Sequence, residues 1–230
     1  MSLTFQRRGP DPATSLVILV HGYGANGADL IGLADALGRH MPGTAFVAPD
    51  APELCVANPM GFQWFPIPWL DGSDPAAAEE SMARAAADLD AFVDERMAEE
   101  GVGPERTALL GFSQGTMISL HVAPRRPRPV AAIVGFSGRL LDPEALAAQA
   151  VSKPPVLLVH GDADEVVPPS SMPEAAEALG EAGFEVFAHV SRGTGHGIAP
   201  DGLGVALAFL RERLGLEDAA ARHEGVTRGV

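Results

Sequence analysis

The sequence contains very little cysteine. Cys55 is the only one among 230 residues. A single cysteine excludes an internal disulfide and a cysteine-based metal cluster. The residues around Cys55 form no recognisable nucleophile motif. We therefore interpret Cys55 as an ordinary apolar residue.

Long apolar runs are also missing from the sequence. No stretch approaches the ~18 apolar residues that a membrane-spanning helix needs. The apolar run at 16–20 is too short for the core of a signal peptide, and prolines precede it at positions 10 and 12. We expect a cytoplasmic protein with no stable membrane insertion.

Basic residues are scarce relative to acidic ones. The chain has 16 lysines and arginines against 30 aspartates and glutamates, which gives a formal net charge of −14. Because this charge repels polyanions, we expect no nucleic-acid partner. The one basic cluster, Arg125, Arg126 and Arg128, alternates with prolines and is predicted to be a solvated loop between a helix and a strand.

Short apolar runs alternate with amphipathic segments along the chain. Runs such as 16–20 are typical of strands buried on both faces of a parallel sheet. Their alternation with helices predicts one α/β domain over residues 1–216, with a mostly parallel sheet and helices on both faces, followed by a polar tail over 217–230. Strands are predicted at 3–7, 16–20, 45–48, 130–136, 155–160 and 184–190, with another just before 111; helices are predicted at about 30–37, 75–100, 114–123, 172–182 and 203–214.

One of the strand-to-helix turns carries a possible nucleophile. Residues 111–115 read G-F-S-Q-G, the spacing of the nucleophile elbow. In such a turn the serine backbone is strained, and close neighbouring chains admit only glycine two positions to either side. The turn exposes the Ser113 hydroxyl at the end of the sheet. It also places the Gln114 backbone N–H at a helix N-terminus, where it can stabilise an oxyanion.

Two further strand ends carry groups that can work with a serine nucleophile. Asp162 and Asp164 follow the strand predicted at 155–160, and His196 lies between glycines after the strand predicted at 184–190. The chain order is serine, acid, histidine, the order of α/β-hydrolases. Either aspartate could be the acid on this evidence.

Residues 53–72 are irregular and unusually rich in proline and aromatic side chains. Trp64, Phe65 and Trp69 lie in this segment. Two interpretations remain open, a flap packed on the core and a wall of an apolar substrate pocket. Exposed apolar residues near positions 60–70 would also suit a homodimer interface.

A different class of function also has a motif in the sequence. Residues 22–27 read G-Y-G-A-N-G, a formal G-x-G-x-x-G between a strand and a helix, and Asp50 ends the next strand. This arrangement is typical of dinucleotide-binding oxidoreductases. That alternative leaves the motifs around Ser113, Asp164 and His196 without a role.

Four motifs together resemble the phospholipase/carboxylesterase family of α/β-hydrolases. They are H-G-Y-G at 21–24, G-F-S-Q-G at 111–115, H-G-D-A-D-E-V-V-P at 160–168 and G-H at 195–196, and the resemblance covers about residues 16–214. That family includes small bacterial carboxylesterases and the acyl-protein thioesterases. The resemblance therefore implies a single-domain α/β-hydrolase fold.

The resemblance also implies roles for individual residues. Ser113 would be the nucleophile, Asp164 the acid and His196 the base, with an oxyanion hole formed by the backbone N–H groups of Tyr23 and Gln114. The implied activity is hydrolysis of a small-molecule ester or acyl substrate through an acyl-enzyme. Thioesters and lysophospholipids are open alternatives, and no metal or cofactor is implied.

Two positions depart from the pattern of that family. Tyr23 stands where the family usually has leucine, and its side chain would narrow the pocket. Pro66 follows Trp64 and Phe65 where the family has an acidic residue. These departures affect the course of the aromatic segment and the expected acyl preference.

Overall fold

A seven-stranded sheet forms the centre of the protein. The computed structural model describes residues 3–216, so the predicted tail at 217–230 lies outside the described residues. The strands of these residues are β1 (Phe5–Arg8), β2 (Ser15–Val20), β3 (Thr44–Pro49), β4 (Glu53–Leu54), β5 (Phe62–Gln63), β6 (Thr107–Phe112), β7 (Ala132–Phe136), β8 (Val156–Gly161) and β9 (Val186–Ser191). Strands β4 and β5 form a separate two-stranded sheet. The order in the large sheet is β1-β3-β2-β6-β7-β8-β9, and only the β1–β3 pair is antiparallel.

Helices cover both faces of this sheet. They are α1 (Gly27–Ile31), α2 (Leu33–Leu37), α3 (Pro68–Asp71), α4 (Pro75–Glu100), α5 (Gln114–Val122), α6 (Pro143–Gln149), α7 (Ser171–Glu181) and α8 (Pro200–Arg213). Apolar residues of α4, α5 and α7 form one core with the sheet, and those of α1, α2 and α8 form a second core on the other face. The predicted layered α/β architecture is confirmed. Among residues 3–216, no helix has both the length and the apolar character needed to cross a membrane.

The longest helix, α4, begins and ends at the positions that local signals predict. Asp74 accepts hydrogen bonds from the N–H groups of Ala76 and Ala77, both at 3.0 Å. Pro75 occupies the first helical position, where no N–H is needed. Gly101 ends the helix with φ 66°, a left-handed conformation that favours glycine.

Several predicted elements differ from the observed ones. The helix predicted at 30–37 is two short helices, α1 and α2, which meet at Gly32. Helix α6 was missed, although Asp142 and Pro143 supply its N-cap and first position. Strand β9 begins two residues later than predicted. Because it is an edge strand, it leaves Phe187 and Val190 partly exposed.

The basic cluster is only in part the solvated loop that the sequence predicts. Arg126 is buried, and its guanidinium contacts the carboxylates of Asp90 and Asp94 on α4. Arg128 remains exposed. The local pattern of arginines and prolines does not predict this ion pairing, because the two carboxylates lie more than 30 residues away in the sequence.

Residues 53–72, which we call the flap, are more ordered than expected. Strands β4 and β5 pair antiparallel, and α3 follows them. Trp64 and Phe65 are buried, whereas Trp69 and Leu70 are exposed. The flap therefore packs on the core through one part and faces solvent through another. The homodimer suggested by its exposed residues stays a prediction.

Candidate active site

Ser113 lies in a strained turn between β6 and α5. Its backbone has φ 53° and ψ −115°, and its N–H donates to the Phe136 carbonyl at 2.8 Å. A Cβ added to Gly111 would lie 2.5 Å from the Gly115 backbone, and one added to Gly115 would lie 1.9 Å from the Val20 carbonyl oxygen. Both glycines are required by close backbone contact, as the motif predicts.

A buried carboxylate lies beside the histidine of the glycine loop. Asp164 Oδ2 is 2.8 Å from His196 Nδ1, and the Asp164 side chain is fully buried. Its other oxygen, Oδ1, accepts the N–H groups of Val166 and Val167 at 2.9 Å each. Asp162 instead accepts the Gly193 N–H at 2.6 Å. Of the two candidate acids, Asp164 is therefore the one that contacts His196.

These contacts stabilise the ionised form of Asp164. Burial alone would raise the pKa of this carboxyl group, but the hydrogen bonds from His196 and from the two backbone N–H groups outweigh it and hold the pKa below its ordinary value. The ionised carboxylate therefore accepts a hydrogen bond from the Nδ1–H group of His196. This selects the imidazole tautomer whose Nε2 is the basic nitrogen.

The His196 ring also lies against the elbow. Its centroid is 5.0 Å from that of Phe112, the residue before Ser113. A second histidine supports the acid: His160 Nε2 bonds the Val167 carbonyl at 3.0 Å and lies 3.3 Å from Asp164 Oδ2. The side chain of His160 therefore holds the turn that presents the acid.

The turn at 21–24 lies directly against the elbow. A Cβ added to Gly22 would be 3.2 Å from Ser113 Cβ. Among residues 3–216 the Tyr23 N–H has no backbone partner. The Gln114 N–H is the first of helix α5, and such N–H groups lack intrahelical partners. Both predicted oxyanion donors thus belong to segments that meet at Ser113.

His21 fixes the shape of the turn at 21–24. Its Nε2 accepts the Ala51 N–H at 3.0 Å, so its Nδ1 carries the proton and donates to the Gly22 carbonyl at 2.7 Å. Burial disfavours the charged ring and lowers the pKa of His21. A neutral His21 therefore holds this turn through both ring nitrogens.

The Gln114 side chain has a role that the motif does not predict. Its Oε1 accepts the Trp64 N–H at 2.9 Å, and its Nε2 donates to the Phe65 carbonyl at 2.7 Å. The Trp64 indole N–H donates to the His21 carbonyl at 2.9 Å. No pattern in the sequence indicates these contacts, because they join segments about 50 residues apart.

Two cavities with mainly apolar linings are relevant to the site, and the first adjoins the elbow. One, of about 400 Å³, is lined by His21, Gly22, Phe112 and Ile198 together with leucines of the α1–α2 region. The other, of about 410 Å³, lies between the flap, α4 and α6. Phe65 and Trp69 line this second cavity, and their role in a substrate pocket stays a prediction. Trp64 lines neither and is fully buried, so it supports the turn at 21–24 instead.

The glycine motif at 22–27 is already satisfied by protein groups. The Gly27 N–H donates to Asp50 Oδ1 at 2.8 Å, and Asn26 forms a capping box with Asp29. The Asp50 carboxylate also accepts the Thr4 hydroxyl at 2.8 Å. The helix N-terminus and the acid that a dinucleotide would require therefore bind each other.

Within residues 3–216, no group of three or more histidine, cysteine or acidic side chains could hold a metal ion. Cys55 is buried and free, in agreement with its interpretation as an apolar residue.

Comparison with known proteins decides the family. The family model described as Phospholipase/Carboxylesterase matches residues 6–214. This chain belongs to the phospholipase/carboxylesterase family. It is a hydrolase of the class that acts on ester bonds, with the α/β-hydrolase fold of that family.

Proteins similar to this chain are named as esterases and thioesterases. Acyl-protein thioesterase 1 from Gibberella zeae is 30% identical, with 87% of this chain and 91% of the relative aligned. Esterase YpfH from Escherichia coli is 29% identical over 90% of this chain and 87% of its own. The crystal structure of esterase PE8 superimposes with a TM-score of 0.87 at 44% identity, covering 93% of this chain and all of the other.

Proposed function

We propose that this chain is a serine carboxylesterase with Ser113 as nucleophile, His196 as general base and Asp164 as the acid that orients the base. The hydrogen bond of 2.8 Å between His196 Nδ1 and the buried Asp164 carboxylate, beside a strained nucleophile elbow, carries the proposal. The contact of Asp164 with His196, which Asp162 does not make, supports Asp164 as the acid.

In the first half of the reaction, His196 Nε2 takes the proton from Ser113 Oγ as that oxygen attacks the ester carbonyl carbon. The tetrahedral intermediate collapses, and the protonated Nε2 returns the proton to the leaving alcohol. Asp164 holds the imidazole in the required tautomer and stabilises the imidazolium. Water, deprotonated by His196, then attacks the acyl-serine carbonyl carbon, and the carboxylic acid product is released as Ser113 recovers its proton.

The negative charge on the carbonyl oxygen is stabilised by backbone donors. The N–H groups of Tyr23 and Gln114 are the donors we assign, and each contributes on the order of 3 kcal/mol to the transition state in this kind of site. The donors are rigid because His21 holds one segment and the helix α5 holds the other.

The substrate class follows from the surroundings of Ser113. The cavity lined by Phe112 and Ile198 is apolar and adjoins the elbow. A net charge of −14 disfavours large anionic substrates. We infer an uncharged or weakly charged carboxylic ester with an apolar group, and the named thioesterase relatives make a thioester the second substrate to test.

The acyl-chain profile on p-nitrophenyl esters, from acetyl to dodecanoyl, tests this function. We expect S113A to keep its melting temperature and to lose at least about 10⁴-fold in kcat. Near-normal turnover by S113A would place the nucleophile elsewhere. A maximum at short chains indicates that the flap closes the site; a maximum at eight carbons or more indicates an open apolar channel, and thioesters are then assayed by thiol release.

A further inference from the structure

Tyr23, the single tyrosine of the chain, has two separate functions in the structure. Its backbone N–H lies in the turn beside Ser113 and is the assigned oxyanion donor. Its phenol hydroxyl donates a hydrogen bond of 2.9 Å to Asp71 Oδ2, 48 residues away. One residue thus joins the oxyanion turn to the end of the flap.

Asp71 organises the part of the flap that Tyr23 reaches. Its Oδ2 also accepts the Ile67 N–H at 2.8 Å, and its Oδ1 accepts the Ser73 N–H at 2.9 Å. The carboxylate therefore ties together both ends of helix α3. The hydroxyl of Tyr23 bonds to the same oxygen, so this part of the flap is linked to the turn at 21–24.

At neutral pH the Tyr23 hydroxyl is protonated and the Asp71 carboxyl group is ionised. Burial, followed by hydrogen bonds with Cys55 and Asp71, raises the pKa of Tyr23. Burial would raise the pKa of Asp71, but hydrogen bonds from Ser73, Ile67 and Tyr23 outweigh it and lower this pKa to about 2. The hydroxyl therefore donates and the carboxylate accepts at neutral pH.

The second oxyanion residue is joined to the flap in the same way. The Gln114 side chain bonds the backbone of Trp64 and of Phe65 at the other end of the flap. Both residues that supply oxyanion N–H groups thus hold the flap with their side chains. An aliphatic side chain at position 23 could not make the hydrogen bond to Asp71.

We propose that Tyr23 is a positioning residue whose hydroxyl, through Asp71, couples the flap to the oxyanion hole. The bond then supports the transition state rather than substrate binding. The inference rests on the proposed function, since it assumes that the Tyr23 N–H is an oxyanion donor.

Y23F tests the proposal because it removes only the hydroxyl. We expect kcat and kcat/KM on p-nitrophenyl acetate to fall together by about tenfold with KM nearly unchanged, the pattern of an interaction made in the transition state. T4V is the matched control. It removes a hydroxyl that donates a hydrogen bond of 2.8 Å to the Asp50 carboxylate, and neither residue belongs to the flap. T4V should leave kcat unchanged.

A second measurement reads the flap directly. The chain has two tryptophans, and both, Trp64 and Trp69, lie in the flap. We expect acrylamide to quench tryptophan emission more strongly in Y23F and in D71A than in the wild type or T4V. The double variant Y23F/D71A should behave like D71A alone, because D71A already removes the bond to the Tyr23 hydroxyl together with the bonds to the Ile67 and Ser73 N–H groups.

The possible outcomes separate the two proposals. If S113A abolishes turnover while Y23F and D71A retain wild-type kcat, the coupling is wrong and the function stands. If S113A retains turnover, the proposed function fails whatever Y23F does. A loss confined to KM, or additive effects of Y23F and D71A, would also overturn the coupling. Should Y23F fold poorly, D71A supplies the kinetic and quenching comparison, since it removes the acceptor of the Tyr23 hydroxyl together with the bonds to the Ile67 and Ser73 N–H groups.

Discussion

Among residues 3–216, the His196–Asp164 and His189–Asp201 pairs have nearly equal lengths but very different surroundings. His196 and Asp164 are 2.8 Å apart, and His189 and Asp201 are 2.9 Å apart. The Asp164 side chain is fully buried, whereas that of Asp201 is 51% exposed. A short distance alone therefore does not identify a catalytic pair.

Both carboxyl groups also have a lowered pKa, so titration does not separate the pairs. A hydrogen bond from His189 is the largest cause for Asp201. For Asp164, burial is the largest single effect and raises the pKa, but the hydrogen bonds together outweigh it and lower the pKa. The difference that matters is position: His196 lies against the elbow residue Phe112, while His189 lies on the exposed edge strand β9. Exclusion of water strengthens the first pair and leaves the second screened.

The largest effect that would sharpen this comparison comes from alanine at each histidine. We expect H196A to lower kcat/KM for p-nitrophenyl acetate by at least about 10⁴-fold, because the general base is lost. H189A, its matched control, should stay within about twofold of wild type, as expected for an exposed pair. Equal losses in the two variants would break the comparison and remove His196 from its assigned role.

A smaller effect is expected at the histidine that supports Asp164. H160L removes the donor to the Val167 carbonyl, so the acid turn loses a support, and kcat/KM should fall between about tenfold and 100-fold from misplacement of the acid. H160Q keeps an amide N–H donor in a similar place and should recover most of the loss. Equal activity of the two variants, with unchanged melting temperatures, would show that this bond does not position Asp164.

The smallest effect concerns stability in acid. Because the pKa of Asp164 is lower in the folded protein than the ordinary value of about 4, its ionised form adds stability above that pH. This stability is lost as the pH falls through the folded pKa. Denaturant unfolding at pH 6 and pH 3.5 should therefore show a smaller acid loss in D164N than in wild type.

The exposed pair supplies the control for that experiment. D201N should also reduce the acid loss, but added salt should remove its effect because both partners are accessible to solvent. Salt should leave the D164N difference in place. The opposite salt response of the two variants would mean that burial is not what separates the pairs.

Much of the molecule could be predicted from local patterns. The N-cap at Asp74, the terminator Gly101 and the elbow around Ser113 are found where the sequence predicts them. Such features depend on residues within a few positions of each other, so their physical causes are visible in the chain. Helix α6 shows the limit of such local prediction. Asp142 provides an N-cap signal, but the seven residues of the helix are too few for a clear hydrophobic periodicity.

The sequence by itself determined the strand ends at which serine, acid and histidine occur, and their order along the chain, because turn chemistry and hydrophobic periodicity are local. Only the tertiary structure places Asp164, and not Asp162, beside His196, and only it buries Arg126. It also buries Trp64, which was predicted to line a pocket, against the turn at 21–24. It also joined Tyr23 to Asp71. These contacts link residues about 30 to 50 positions apart, and the packing of separate elements decides which of them meet.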